Sequence, residues 1–139
     1  MPDALENAVE ILARLVNFES ISGRPTHGIV GYVQEYLSSH GIEATLSYDD
    51  ARERANVFAT IGPQVDGGVV LSGHTDVVPV EGQQWGSDPF TLTRKGDRLF
   101  GRGSVDMKGF LACVLGSVPK FKAANLNRPI HIALSLIHI

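Results

Sequence analysis

The chain has little of what marks several broad classes of protein. It holds a single cysteine, Cys113, in 139 residues, which excludes an intrachain disulfide and a zinc site built from several thiolates. Within a helical pattern, that lone thiol is expected to be a small buried hydrophobe. Met1-Pro2-Asp3-Ala4-Leu5-Glu6 has no basic region leading into an apolar run, so a secretory signal is not expected. The longest apolar-leaning stretch, Ile130 to Ile139, is too short to span a bilayer and carries two histidines. No membrane partner is expected, and a cytoplasmic location is the default expectation. Charge of one sign is also scarce: the formal net charge is -3, without a Lys/Arg cluster, which argues against nucleic acid as a partner. There is no internal repeat, low-complexity tract or linker. What remains is the composition of an ordinary soluble globular protein with enough chain for one domain and a real core.

The hydrophobic pattern sets the expected elements. Leu5, Val9, Leu12, Leu15 and Val16 recur at helical spacing, predicting an amphipathic helix over about residues 3 to 18. Ser20 to Pro25 is loop-like. Thr26 can cap a second helix with the stripe Val30, Val33 and Leu37, and Gly41 suits the position just past its end. Ile42 to Tyr48 and Arg54 to Ile61 are strand candidates. Val69-Val70-Leu71 is a short continuous apolar run, expected to be a strand buried on both faces in the middle of a sheet. Val77 to Asp88 is a loop. Lys95-Gly96-Asp97 lies between short strand-like segments and predicts a hairpin. Met107, Phe110, Leu111, Val114, Leu115, Val118 and Phe121 predict a further helix, which Pro119 should kink or end early. Pro129 to Ser135 is expected to be one more strand. This order points to an α/β fold in which helices flank a mixed sheet.

Two stretches carry chemistry. In Ser72-Gly73-His74-Thr75-Asp76, the histidine leaves the end of the apolar strand, where ligand sites of open α/β sheets form. If the backbone stays extended, His74 and Asp76 point the same way. The carboxylate then accepts the second ring N–H of a metal-bound imidazole and fixes its tautomer. The competing reading is an ordinary strand-end histidine with an aspartate capping the turn. In Gly101-Arg102-Gly103-Ser104-Val105-Asp106-Met107-Lys108-Gly109, Asp106 stands between a glycine-rich loop and a helix. It suits a plain N-cap, or a carboxylate bridging two divalent ions roughly 3.5–4 Å apart. A phosphate cradle at Gly101-Arg102-Gly103 is disfavoured by the missing Lys-Ser/Thr pair. Lys108 is expected to be a solvated helix residue. His27 and His40 suit helix surfaces, His131 a packed or edge-facing strand position, and Trp85 a packing anchor for the long loop.

Three segments together resemble the zinc aminoacylase/deacetylase peptidase family. They are Leu71-Ser72-Gly73-His74-Thr75-Asp76-Val77-Val78-Pro79-Val80, then Trp85 with Ser87-Asp88-Pro89-Phe90, then Leu99 through Gly109. The resemblance covers residues 5 to 135, and the loop from Val78 to Phe90 is closest to the branch acting on N-acetylornithine. It implies the catalytic domain of a zinc-dependent exopeptidase-like fold and a metal-dependent amide hydrolase. His74 would be a ligand to one zinc, Asp106 the carboxylate bridging both, and Asp76 the acid that orients His74. Two zinc ions are implied, with cobalt as a substitute. The implied substrate is a small N-acyl amino acid, N-acetylornithine first, on an arginine-synthesis route. A desuccinylase or carboxypeptidase of the same family is the alternative.

The family pattern places a glutamate general base and a neighbouring glutamate ligand just after the strand that ends near Ser135. Here the chain reads Leu136-Ile137-His138-Ile139, so the general base and the remaining ligands are not among its residues, and His138 is a poor substitute. The expectation is therefore an N-terminal part of the catalytic domain, over 1–139, without a lid and dimerisation domain. Homodimerisation is expected only of a full-length protein. Such a chain should bind zinc weakly, lack meaningful amidase activity and expose apolar surface at a sheet edge. A non-catalytic binding module is the reading from another class.

Overall fold

The computed structural model describes residues 3–137. The amphipathic first segment forms α1 (Ala4–Asn17), burying Ile11, Leu12, Leu15 and Val16. The second stripe forms α2 (His27–Ser39), burying Ile29, Val30, Val33 and Leu37. Gly41 takes φ 72° just past the C-cap residue His40, a conformation a β-carbon disfavours. Thr26 is the N-cap residue of α2 but makes no side-chain cap bond. Its hydroxyl instead accepts from the Ala55 amide at 3.2 Å. His27 is exposed, and His40 lies over Tyr36 with ring centroids 4.9 Å apart.

The strands are β1 (Ala44–Tyr48), β2 (Ala55–Ile61), β3 (Val69–His74), the hairpin pair β4 (Thr93–Lys95) and β5 (Arg98–Phe100), and β6 (Ile130–Ser135). The last helix, α3 (Lys108–Ala123), precedes β6. Four strands form a sheet in the order β1-β2-β6-β3. β1 and β6 run antiparallel to β2, while β3 runs parallel to β6. The sheet is therefore mixed, as expected. Alternation along β2 and β6 sends Val57, Ala59, Ile61, Ile132 and Leu134 into one core shared with all three helices. Burying each large aliphatic side chain stabilises the fold by about 1.5–3 kcal/mol. The opposite face carries Phe58, stacked on His131 at 5.4 Å, while Thr60 Oγ1 pairs with His131 Nδ1 at 2.8 Å.

Three expectations are corrected here. The first is the place of β3, which is an edge strand among the described residues, with Val69 56% and Val70 55% exposed. A run of three apolar residues does not encode how many neighbours pair with it, and among the described residues β3 pairs with β6 alone. The second is Cys113, which is exposed. It falls on the outer face of α3, opposite the stripe formed by Leu111, Leu115 and Val118. The third is the early end of α3 at Pro119, since the helix runs through that residue to Ala123. Proline leaves the Leu115 carbonyl without its helical donor, and Tyr36 Oη donates to that carbonyl at 2.9 Å.

Among the described residues, no helix is long and apolar enough to cross a membrane.

Candidate metal site

His74 is the last residue of β3, paired in register with Ser135, the last residue of β6. The two parallel strands end side by side, the sheet end at which α/β folds place their ligands. At Gly73, just before His74, the start of α3 and its cap residue Met107 pack closely on β3. A β-carbon there would stand 2.8 Å from Leu111 Cδ2 and 2.9 Å from Met107 Cε. The loop before α3 brings Asp106 over the strand end. Its turn passes through Gly103 at φ 80°, where a β-carbon would lie 2.5 Å from Val77 Cγ1. Only glycine combines that backbone with that contact. The Asp106–Met107 peptide is cis.

The two sequence-distant residues meet: His74 Nε2 lies 2.9 Å from Asp106 Oδ1. The Asp106 side chain is 82% exposed and that of His74 19%, so the pair opens to solvent on the carboxylate side. Asp106 is not the helix cap. Met107 holds that position, and no side-chain bond caps α3.

Asp76 stands behind the ring, in a different way from the one expected. The closest acceptor for His74 Nδ1 is the Asp76 backbone carbonyl, at 2.8 Å. The Asp76 carboxylate is 3.6 Å away. That carboxylate is only 2% exposed and otherwise engaged. Its Oδ2 accepts from Ser22 Oγ at 2.6 Å, and its Oδ1 from the Ile137 amide at 2.8 Å.

The donor set fits a cation. A proton on Nδ1, donated to the Asp76 carbonyl, turns the unprotonated Nε2 toward the Asp106 carboxylate. Two acceptors then face one another, an arrangement that a proton or a metal ion between them relieves. Among the described residues, no group of three or more His, Cys, Asp or Glu side chains is arranged to hold a metal ion.

Lys108 departs most from expectation. It is fully buried rather than solvated, because the first turn of α3 points it inward beneath Gly103. Its Nζ donates to the Phe18 carbonyl at 2.8 Å. Burial pushes its pKa down from 10.5 to about 8. Sequence reasoning also missed Ser22, which lay in a stretch legible only as loop. Trp85 is half-buried, with the Arg102 guanidinium 5.1 Å from its ring centroid. Its indole N–H and Arg102 both donate to Gln83 Oε1. Trp85 thus ties the long loop to the glycine-rich turn, as a packing anchor would. His131 lies on β6, away from the pair, and His138 lies outside the described residues.

Comparison with known proteins bears on this arrangement. The sequence profile of peptidase family M20/M25/M40 matches residues 70–136, the stretch that contains His74, Asp76 and Asp106. The chain is 42% identical over 135 residues to an acetylornithine deacetylase of Yersinia pseudotuberculosis, covering 89% of this chain and 35% of that protein. It is 36% identical over 105 residues to the acetylornithine deacetylase of Pasteurella multocida, covering 75% of this chain and 27% of the relative. The chain thus spans about a third of the length of the curated relatives it matches. Among solved structures, human carnosine dipeptidase 1 superposes with a TM-score of 0.79 at 24% identity, over 94% of this chain and 31% of that one. An M20 family metallo-carboxypeptidase of Sulfolobus solfataricus superposes with a TM-score of 0.76 at 25% identity, over 97% and 31%.

Proposed function

This chain belongs to peptidase family M20/M25/M40, and on that premise we propose that it supplies part of the metal site of an amide hydrolase that removes the acetyl group from N-acetylornithine. The observation that carries the reading is the 2.9 Å approach of His74 Nε2 to Asp106 Oδ1 across two separate elements. His74 and Asp106 would hold divalent ions, zinc first, with Asp106 shared between two of them. A metal bound there supplies Lewis-acid polarisation of the scissile carbonyl.

This chain's own residues do the positioning. The Asp76 carbonyl accepts a hydrogen bond from Nδ1–H, which leaves the Nε2 lone pair toward Asp106. The buried Asp76 carboxylate, 3.6 Å from Nδ1, places negative charge behind the ring. The glycine turn holds the Asp106 carboxylate in the open, where a small N-acyl amino acid can reach it.

The names of the Yersinia and Pasteurella relatives support N-acetylornithine as substrate. A second reading, hydrolysis of a peptide amide, is favoured by the likeness to the Sulfolobus carboxypeptidase. We also infer that the chain by itself lacks amidase activity, since the described residues bring together too few ligands for a catalytic zinc.

The experiment is a chimera in which this chain replaces the matching segment of the Yersinia pseudotuberculosis enzyme. Release of acetate from N-acetylornithine, lost on Asp106→Ala, is the expected result. A folded, metal-loaded chimera that cleaves dipeptides but not N-acetylornithine favours the second reading. One that cleaves neither overturns both.

A further inference from the structure

We propose that segment 18–22 is a clamp that sets His74 against Asp106, with Ser22 and Lys108 as its positioning residues; the proposal rests on reading His74 and Asp106 as metal ligands. The two candidate ligands sit on elements that meet through apolar packing, Gly73 against Leu111 and Met107 and Gly103 against Val77, which carries no directional bond to the ligand side chains. Apart from the His74–Asp106 approach, the His74 amide reaches Met107 Sδ at 3.3 Å. Segment 18–22, which follows α1, touches both sides.

On one side it is laced to residues 75–77. The Val77 amide donates to the Ser20 carbonyl, and the Ser22 amide to the Val77 carbonyl, both at 2.9 Å. Ser20 Oγ donates to the Thr75 carbonyl at 2.8 Å, and Ser22 Oγ to Asp76 Oδ2 at 2.6 Å. With the Ile137 amide on Oδ1, the Asp76 carboxylate is held at both oxygens and cannot turn. The Asp76 carbonyl that receives His74 Nδ1 is fixed by the same contacts.

On the other side is Lys108, two residues beyond Asp106 and fully buried. Its Nζ donates to the Phe18 carbonyl at 2.8 Å, and that carbonyl also accepts from the Ser20 amide at 2.8 Å. A buried amine is a costly way to fill apolar space, because it must be desolvated and bonded. What it adds over a methionine of similar length is a directional bond. Here that bond runs from the first turn of α3 to the segment that grips Asp76. The side chain passes beneath Gly103, whose β-carbon position is 3.5 Å from Lys108 Cδ, so the turn carrying Asp106 rests on the clamp.

The test uses the metal-free chain at about pH 8.5, above the ordinary histidine range, and reads the ring nitrogens of His74 by 15N NMR. The wild-type ring is expected to carry its proton on Nδ1. Ser22→Ala and Lys108→Met should each shift the ring toward the Nε2–H form and weaken Zn2+ binding about 10-fold. Ser22→Thr keeps the hydroxyl and should restore both readings. Ser117→Ala removes a hydroxyl bonded only to the Cys113 carbonyl of α3 and should move neither. Should Lys108→Met fail to fold, Ser22→Ala and its threonine counterpart carry the test. Wild-type ring shifts and unchanged Zn2+ affinity in the alanine variant overturn the clamp. A wild-type His74 that ignores added Zn2+ overturns the metal reading instead, and the ring comparison still decides the clamp.

Discussion

Replacing Lys108 with methionine should change how stability depends on pH, and the size of the change follows from its burial. Lys108 is fully buried, and its pKa falls from 10.5 to about 8 because the ammonium is desolvated. Between those values the unfolded chain holds a proton that the folded chain has released. Wild-type stability therefore rises with pH across that window, and the penalty is felt in full below it. From about pH 7 to about pH 10 the gain is about 2 to 3 kcal/mol. Methionine titrates in neither state, so the wild type should gain that amount relative to Lys108→Met. The lost bond to the Phe18 carbonyl adds an offset of about 1 kcal/mol that does not vary with pH. Burial raises the pKa of Tyr32 and Tyr36, which removes stability at high pH, but it does so in both proteins and cancels in the difference. Urea unfolding followed by far-UV circular dichroism at matched pH values measures the gap. Stability curves that stay parallel from neutral to alkaline pH would mean that folding does not desolvate the Lys108 ammonium.

Other consequences are equally direct. Gly103→Ala places a β-carbon 2.5 Å from Val77 Cγ1 at φ 80° and should cost about 2 to 4 kcal/mol, read as a lowered urea midpoint; an unchanged midpoint contradicts the close approach. Tyr36→Phe removes the donor to the Leu115 carbonyl opposite Pro119 and should cost about 1 to 3 kcal/mol, with local loss of hydrogen-exchange protection in α3. Val70→Lys puts a charge on an edge strand whose Val69 and Val70 are both more than half exposed. Concentration-dependent light scattering should give a lower apparent mass than for the wild type; equal masses at every concentration would contradict association through the β3 edge.

Much of this was legible from residue order because local chemistry and tertiary packing agree. The α2 stripe and the Leu12, Leu15 and Val16 part of the α1 stripe face the core as their spacing requires, while Leu5 in the first turn of α1 is exposed, and the Lys95-Gly96-Asp97 turn closes the β4–β5 hairpin. His74, Asp76 and Asp106 were legible as candidates because a strand end and a glycine-rich turn are backbone features that sequence displays. The long-range pairing was not. The apolar run Val69-Val70-Leu71 says nothing of how many strands flank it, so its edge position could not be read. Lys108 was misjudged because a lysine at a helix start is usually solvated, and only the packing of α3 on segment 18–22 turns it inward. Ser22 had no signal at all: its role depends on a partner 54 residues away. Pro119 misled for a similar reason, since the hydroxyl that satisfies Leu115 comes from another helix.

If His74 and Asp106 hold a metal ion between β3 and the turn before α3, zinc-edge X-ray absorption on the zinc-loaded chain will show it. Imidazole nitrogen is expected among the nearest zinc neighbours, lost in His74→Ala, with a changed oxygen shell in Asp106→Ala. A zinc environment identical in wild type and both variants would place the ion elsewhere.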